Sequence, residues 1–259
     1  MMSLLRLESI CKDFGGLRAL SDVFMTVENG SITALIGPNG SGKTTLFNVI
    51  TKLTPLNSGK IIFNEERIDQ IAAYLIPGKG IARTFQIISL FPTASVWENV
   101  ASGAFSKTKA EFLSILLRFS WMRKEEKQIR ERAVELLRYF GIEHLATRPA
   151  GMLPFGQQRL VELARALISD PKLVLLDEPL SGLNPYESEM LQQKILDIRG
   201  RGATILLVEH EMKAVMVLAE KITVLSFGKK IAEGTPEEIR NNPEVIEVYL
   251  GKEGGIAAG

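Results

Sequence analysis

The chain has 259 residues, 46% of them hydrophobic, enough for one large domain or a domain carrying a substantial insertion. A formal net charge of +1 supplies no basic excess to follow a nucleic-acid backbone, so nucleic acid is not expected as a partner. Cys11 is the single cysteine, which excludes an intrachain disulfide and a thiolate metal cluster and suits a reducing cytoplasm.

Met1 to Glu8 lacks a basic region followed by a continuous apolar stretch, so no secretory signal is expected. Leu4 to Glu28 reads as short strands around a Gly15-Gly16 turn and Gly59 to Asn64 as another, which predicts a small antiparallel sheet. Ser31 to Ile36 is β-rich and apolar, as a buried strand is, and leads into Gly37-Pro38-Asn39-Gly40-Ser41-Gly42-Lys43-Thr44. This segment fits G-x-x-x-x-G-K-[ST]: its glycines let successive backbone N–H groups turn inward around phosphates while the lysine reaches the outer oxygens. Thr44-Thr45 and the residues to Ile50 then continue as a helix whose N-terminus faces the anion.

From Val96 to Ile168 the periodicity is helical, and residues 88–165 are expected to form an inserted helical subdomain. Phe112 to Met122 is apolar but spans about half the ~20 residues needed to cross a bilayer and contains Arg118, so it is expected to be a packed helix. Lys124 to Phe140 is amphipathic and Gly141 ends it. Leu153-Pro154-Phe155-Gly156-Gln157-Gln158-Arg159 opens the next helix, whose start offers a second anion-binding end. The apolar run Leu173 to Leu176 ends in Asp177-Glu178; with a helix over Pro185 to Arg199 and a strand over Ala203 to Val208 it makes a βαβ pattern. Lys221 to Ile231 resembles a hairpin, and Pro236 to Leu250 reads as one or two short helices broken near Pro243. The expected fold is α/β: residues 1–250 as one domain with a phosphate-loop core, an antiparallel β subdomain and the helical insertion, and 251–259 as a disordered tail.

The chemistry follows from these positions. Thr44 is expected to place its hydroxyl on Mg²⁺, with Asp177 holding the same ion directly or through a water. Glu178 places a second carboxylate where it can polarise an attacking water; its ordinary reading is a second metal ligand or a helix-capping anion.

Phosphate loop, Gln86, the Leu153–Gln157 segment, Asp177-Glu178, Ser181-Gly182-Leu183-Asn184 and His210 stand in an order that resembles the ATP-binding-cassette ATPases over nearly the whole chain. The resemblance implies two such domains dimerised head to tail, each ATP clamped between one phosphate loop (Gly37 to Thr45) and the partner's signature segment (Leu153, Pro154, Phe155, Gly156 and Gln157). It further implies that Gln86 senses Mg²⁺ and the attacking water, that His210 contacts the γ-phosphate, and that Phe14 stacks on adenine. Taken singly, Phe14 reads as core, Gln86 as a surface amide and His210 as a satisfied histidine. The chain departs from the commonest pattern in two places. Pro154 and Phe155 replace serine and glycine, and Asn184 replaces aspartate.

Ala82 to Gln86, Leu90 to Val100, Val208 to Met212 and Gly234 to Pro243 look more specifically like the ATP-binding subunits of branched-chain amino acid importers. That likeness implies an ATP hydrolase peripheral to the cytoplasmic face of the inner membrane. Its partners would be permease subunits, a second cassette subunit and, indirectly, an extracytoplasmic solute-binding protein. The alternatives are a cassette for another solute such as urea, a lipid exporter, or a non-transport ATPase of the same family. Ile87, Ile88, Leu90 and Phe91 are a candidate wall for a permease helix, or ordinary hinge packing.

Overall fold

A computed structural model describes residues 2–107 and 120–250. The packed helix expected over Phe112–Met122 lies largely outside the described residues, and the tail expected to be disordered lies wholly outside them.

Two sheets share the chain. β1 (Ser3–Phe14) and β2 (Leu17–Glu28) are continuous strands, not the short ones expected; register shifts between Leu7 and Lys12 bend the pair without ending it. With β4 (Ser58–Phe63) and β5 (Glu66–Arg67) they form a four-stranded antiparallel sheet in the order β2-β1-β4-β5. The second sheet holds β3 (Ile32–Ile36), β6 (Ile81–Arg83), β7 (Leu173–Asp177), β8 (Thr204–Val208), β9 (Lys221–Ser226) and β10 (Lys229–Gly234) in the order β10-β9-β3-β8-β7-β6. Its pairings are parallel except β9 with β10. Every residue of β3, β7 and β8 is buried, as expected of parallel strands covered on both faces. Each fully buried Leu, Ile or Val there contributes roughly 1.5–3 kcal/mol.

α1 (Lys43–Ile50) follows β3. α2 (Val96–Ala101), α3 (Ser120–Tyr139) and α4 (Phe155–Leu167) lie between β6 and β7. Ala133, Leu137 and Phe140 recur at four- and three-residue steps and pack with Val96, Val100 and Val161. Gly141, at φ +76°, stops α3: the Ile142 N–H turns back to the Leu137 carbonyl at 2.9 Å. α5 (Pro185–Gly200) is the crossover between β7 and β8. α6 (Met212–Leu218), α7 (Pro236–Arg240) and α8 (Pro243–Leu250) complete the chain.

Register places the chemistry. Leu35 and Asp177 both stand opposite Val208, and Arg83 stands opposite Leu175. The phosphate loop, Asp177-Glu178, His210 and Gln86 therefore all leave the sheet at its carboxyl edge, where ligand crevices form in parallel sheets.

Candidate nucleotide site

Gly37, Gly40 and Gly42 have φ of +150°, +80° and +107°. A Cβ on Gly37 would overlap the Leu225 carbonyl of β9, and one on Gly42 would lie 2.8 Å from the Ala19 carbonyl of β2. The loop thus threads between the two sheets where only bare backbone fits, as a phosphate cradle requires. Lys43 Nζ donates to the Gly37 and Pro38 carbonyls at 2.7 and 3.0 Å, which holds the ammonium along the loop. The Ser41 hydroxyl is buried with no hydrogen-bond partner, an orphan that a phosphate oxygen would satisfy. Gly42 caps α1 without a side chain, so the first amides of the helix remain for an anion. Pro38 is half-buried, Asn39 and Gly40 stand exposed at the crest, Thr44 is exposed and Thr45 half-buried. These residues fit the triphosphate of ATP. Phe14 is 48% exposed at the hairpin tip, with Lys12 Nζ 4.8 Å from its ring centroid. It is not a core residue.

Glu178 sits at φ +47°, a left-handed conformation that costs a non-glycine residue roughly 1–3 kcal/mol and clusters at functional sites. Its N–H donates to the Val208 carbonyl at 2.9 Å, which ties the turn to β8. Gln86 Nε2 donates to Glu178 Oε2 at 3.0 Å, and His210 Nδ1 lies 3.5 Å from the same oxygen. Two residues from separate segments therefore converge on the carboxylate of a third. Asp177 is buried at the end of β7, where Arg83 donates to its Oδ2 at 2.9 Å; Arg83 also donates to Asn48 Oδ1 at 2.7 Å and to the Thr51 hydroxyl at 3.2 Å. Among the described residues, no group of three His, Cys, Asp or Glu is arranged to hold a metal ion.

At the start of α4, Pro154 is the N-cap and offers no side-chain acceptor. Leu153 is buried, and Phe155 is 46% exposed beside Gly182, where a Cβ would meet its Cε1 at 3.0 Å. A Cβ on Gly156 would overlap the Glu187 carboxylate. Gln157 is half-buried. No described hydrogen bond or ion pair joins residues 153–157 to residues 37–45.

The profile of the ABC transporter family matches residues 20–181. The chain belongs to that family. It is an ATP-binding, ATP-hydrolysing subunit of an ABC transporter. A second profile, that of the branched-chain amino acid ATP-binding cassette transporters, matches residues 229–255. Similar proteins include the high-affinity branched-chain amino acid transport ATP-binding protein BraF of Pseudomonas aeruginosa, 38% identical over 250 residues. LivG of Salmonella typhimurium, described in the same words, is 39% identical over 250 residues; each alignment covers 96% of this chain and 98% of the relative. The ADP conformation of an ATP-binding cassette of an ABC transporter, a crystal structure, superposes with a TM-score of 0.84 at 34% identity, covering 97% of this chain and all of that one. A nucleotide-free ATP-binding cassette from an ABC transporter gives 0.84 at 36% identity, covering 96% and 99%.

Three charged residues of the cassette site escape sequence reasoning. Glu209 is buried; its Oε1 accepts from the Leu180 N–H at 2.9 Å and its Oε2 from the His210 N–H at 3.3 Å. One carboxylate thus bridges the turn after Glu178 to His210, and burial holds its pKa above the ordinary glutamate value. Arg159 and Glu162 form an equally buried pair on α4 that grips the backbone at Phe85 and Gln86. The available signal was a charge interrupting an apolar pattern: Glu209 directly after the apolar run Ile205–Val208, and Arg159 and Glu162 three apart on the core-facing stripe of a helix. Asn184 has a role of its own. Its Oδ1 accepts from the Glu187 N–H at 3.0 Å while Glu187 Oε2 accepts from the Asn184 N–H at 3.1 Å, a capping box that starts α5.

Proposed function

We propose that this ATPase powers the import of branched-chain amino acids from the cytoplasmic face of the cell membrane, paired head to tail with a paralogous cassette or a second copy beneath two membrane-spanning permeases. An extracytoplasmic solute-binding protein would deliver the cargo. The relatives' printed descriptions and the match at residues 229–255 favour that cargo. Among the described residues no helix is long and apolar enough to cross a membrane, so the permeases would supply the path. A groove of about 730 Å³, bordered by Leu53, Tyr74, Phe85, Phe91 and Arg165, favours permease docking at this face. Phe91 belongs to the wall expected from the sequence, and Ile87 is 82% exposed.

The observation that carries the hydrolytic reading is the convergence of Gln86 and His210 on Glu178 Oε2 at the carboxyl edge of the sheet. In this reading Glu178 is the general base, Gln86 and His210 orient it, Lys43 and the loop amides hold the phosphates, and Phe14 stacks on the base. Thr44, Asp177 and the amide oxygen of Gln86 would hold Mg²⁺, which neutralises charge on the phosphate oxygens; with so few protein donors, phosphate and water would complete its shell. The signature of the partner would close over the γ-phosphate. Moving such a pair from 1:99 to 99:1 closed requires ATP to favour the closed form by about 5.5 kcal/mol, which contacts made only on closure can supply.

The test is to tag the chain, extract it gently from native membranes, identify its companions by mass spectrometry, and follow labelled leucine uptake with Lys43→Ala. Two polytopic permeases, a second cassette and loss of ATP-driven uptake are expected. Companions without a permease, or leucine uptake indifferent to Lys43→Ala, would overturn the assignment.

A further inference from the structure

We propose that the buried Arg159–Glu162 pair of α4 is a positioning device that sets the reach of Gln86 to Glu178, and so makes the tilt of the signature helix an input to hydrolysis. The proposal rests on the hydrolytic reading of Gln86 and Glu178 given above. Arg159 is 3% exposed and Glu162 1%. The guanidinium donates through Nη1 to the Phe85 carbonyl at 2.9 Å and through Nη2 to the Gln86 carbonyl at 2.8 Å. Nη1 also donates to Glu162 Oε2 at 2.9 Å, and the other oxygen of that carboxylate accepts from the Phe85 N–H at 3.3 Å. The two side chains therefore hold three backbone groups of residues 85 and 86. The next polar link from Gln86 is its own amide on Glu178, at 3.0 Å.

The pair has no evident value as a source of stability. Removing two charges from water costs several kcal/mol per ion, and an apolar pair of the same volume is often neutral or stabilising in such a place. Burial accordingly pushes the Glu162 carboxyl above its usual pKa. What an apolar pair cannot do is fix two successive carbonyls. The planar guanidinium fork does so with two nitrogens, a geometry that lysine cannot reproduce. Arg165 extends the grip by donating to the Ser89 carbonyl at 2.6 Å. At the other end of the same helix, the exposed ring of Phe155 lies 5.5 Å from the Arg159 guanidinium carbon. The signature residue that would meet a partner's nucleotide thus touches the side chain that holds Gln86.

The experiment measures ATP turnover in the assembled transporter for Arg159→Lys, for the volume-conserving double variant Arg159→Met/Glu162→Leu, and for each combined with Gln86→Ala. Arg159→Lys keeps the charge and loses the fork; the double variant leaves no unpaired charge, so either one that folds suffices. Each is expected to lower kcat about tenfold with KM for ATP moving less than about twofold, the mark of a defect felt in the transition state and not in binding. Combined with Gln86→Ala, neither should cost anything further, because both act through one group. Full kcat for Arg159→Lys or the double variant while Gln86→Ala is impaired, or losses that multiply in the combinations, would overturn the positioning role alone. Full kcat for Gln86→Ala itself would bring down the reading of Gln86 and the proposal with it.

Discussion

Glu178→Gln isolates the chemistry from the fold. Glutamine keeps the volume and the shape of the side chain, its amide oxygen can still accept from Gln86 Nε2 at the observed 3.0 Å, and the backbone N–H stays on Val208. The left-handed φ of +47° is as costly for glutamine as for glutamate, so the strain term cancels. Only basicity is lost. A positioned base contributes about 10²- to 10⁴-fold, which at 1.36 kcal/mol per decade raises the barrier by about 2.7–5.5 kcal/mol. Lys43, Ser41 and the loop amides are untouched, so ATP affinity should move less than about threefold, under 1 kcal/mol. Slow hydrolysis with intact binding should accumulate the ATP-bound pair. Single-turnover phosphate release gives the rate, nucleotide retention gives the affinity, and size-exclusion chromatography with and without ATP gives the pairing. Turnover at the native rate would remove Glu178 from the base role; a tenfold loss of ATP affinity would mean that the carboxylate serves the bound state and not the reaction.

Arg83→Ala would leave Asp177 charged and unpaired in a site where its side chain is 5% exposed, so a loss of about 3–5 kcal/mol and a melting temperature lower by roughly 10 °C are expected by calorimetry. Phe14→Ala should leave stability nearly unchanged, since the ring is half exposed, yet weaken ATP by about 1–3 kcal/mol if the ring stacks on the base; a fluorescent nucleotide titration decides. Burial raises the folded-state pKa of Glu209, so its contribution to stability is fully present below the unfolded value near 4.3 and is lost as pH rises through the raised folded value. Glu209→Gln should flatten that decline in urea unfolding as pH rises above about 4, and an unchanged slope would assign the pH dependence to other groups.

What the sequence made legible was whatever rests on local pattern. The phosphate loop could be read because strand, glycines and helix are contiguous, and the βαβ pairing of β7 with β8 follows from two apolar runs separated by a helix of the right length. The conformation of Glu178 could not be read, because φ +47° is imposed by the tie of its N–H to Val208, thirty residues along the chain. Gln86 and His210 were candidates by resemblance, but their meeting on one oxygen depends on the order β8-β7-β6, which no local pattern encodes. In the sequence Arg83 is one polar residue within the segment Ala82 to Gln86, with nothing local to mark it. Its burial against Asp177, and its stacking near Phe47 and Phe85 at 5.4 and 4.9 Å, come from the parallel register of β6 on β7. The strand lengths of β1 and β2 were underestimated for a related reason: bulges break the alternation that a sequence reader counts, while cross-strand pairing continues through them.

The departures from the serine-glycine signature make sense as one packed unit. Proline at the N-cap supplies no acceptor, so the amides at the start of α4 stay uncapped and remain donors to an outside anion. Phenylalanine at 155 needs space, and Gly182, in a left-handed turn at φ +79°, gives it: any side chain there would press on the ring. Gly156 gives the same clearance to the Glu187 carboxylate, which in turn closes the capping box on Asn184. Asn184 therefore does for α5 what aspartate would, without adding a second negative charge beside Glu187. Substituting the common residues singly would disturb a neighbour at both places: glycine at 155 would leave Gly182 facing a void, and aspartate at 184 would set two carboxylates together at one helix start. The signature segment and the turn after Glu178 are thus shaped to each other within one chain, and Phe155 joins both to Arg159. In a head-to-tail pair, pressure on the signature would reach the Gln86 carbonyl through that guanidinium, and the turn beside Glu178 through Gly182.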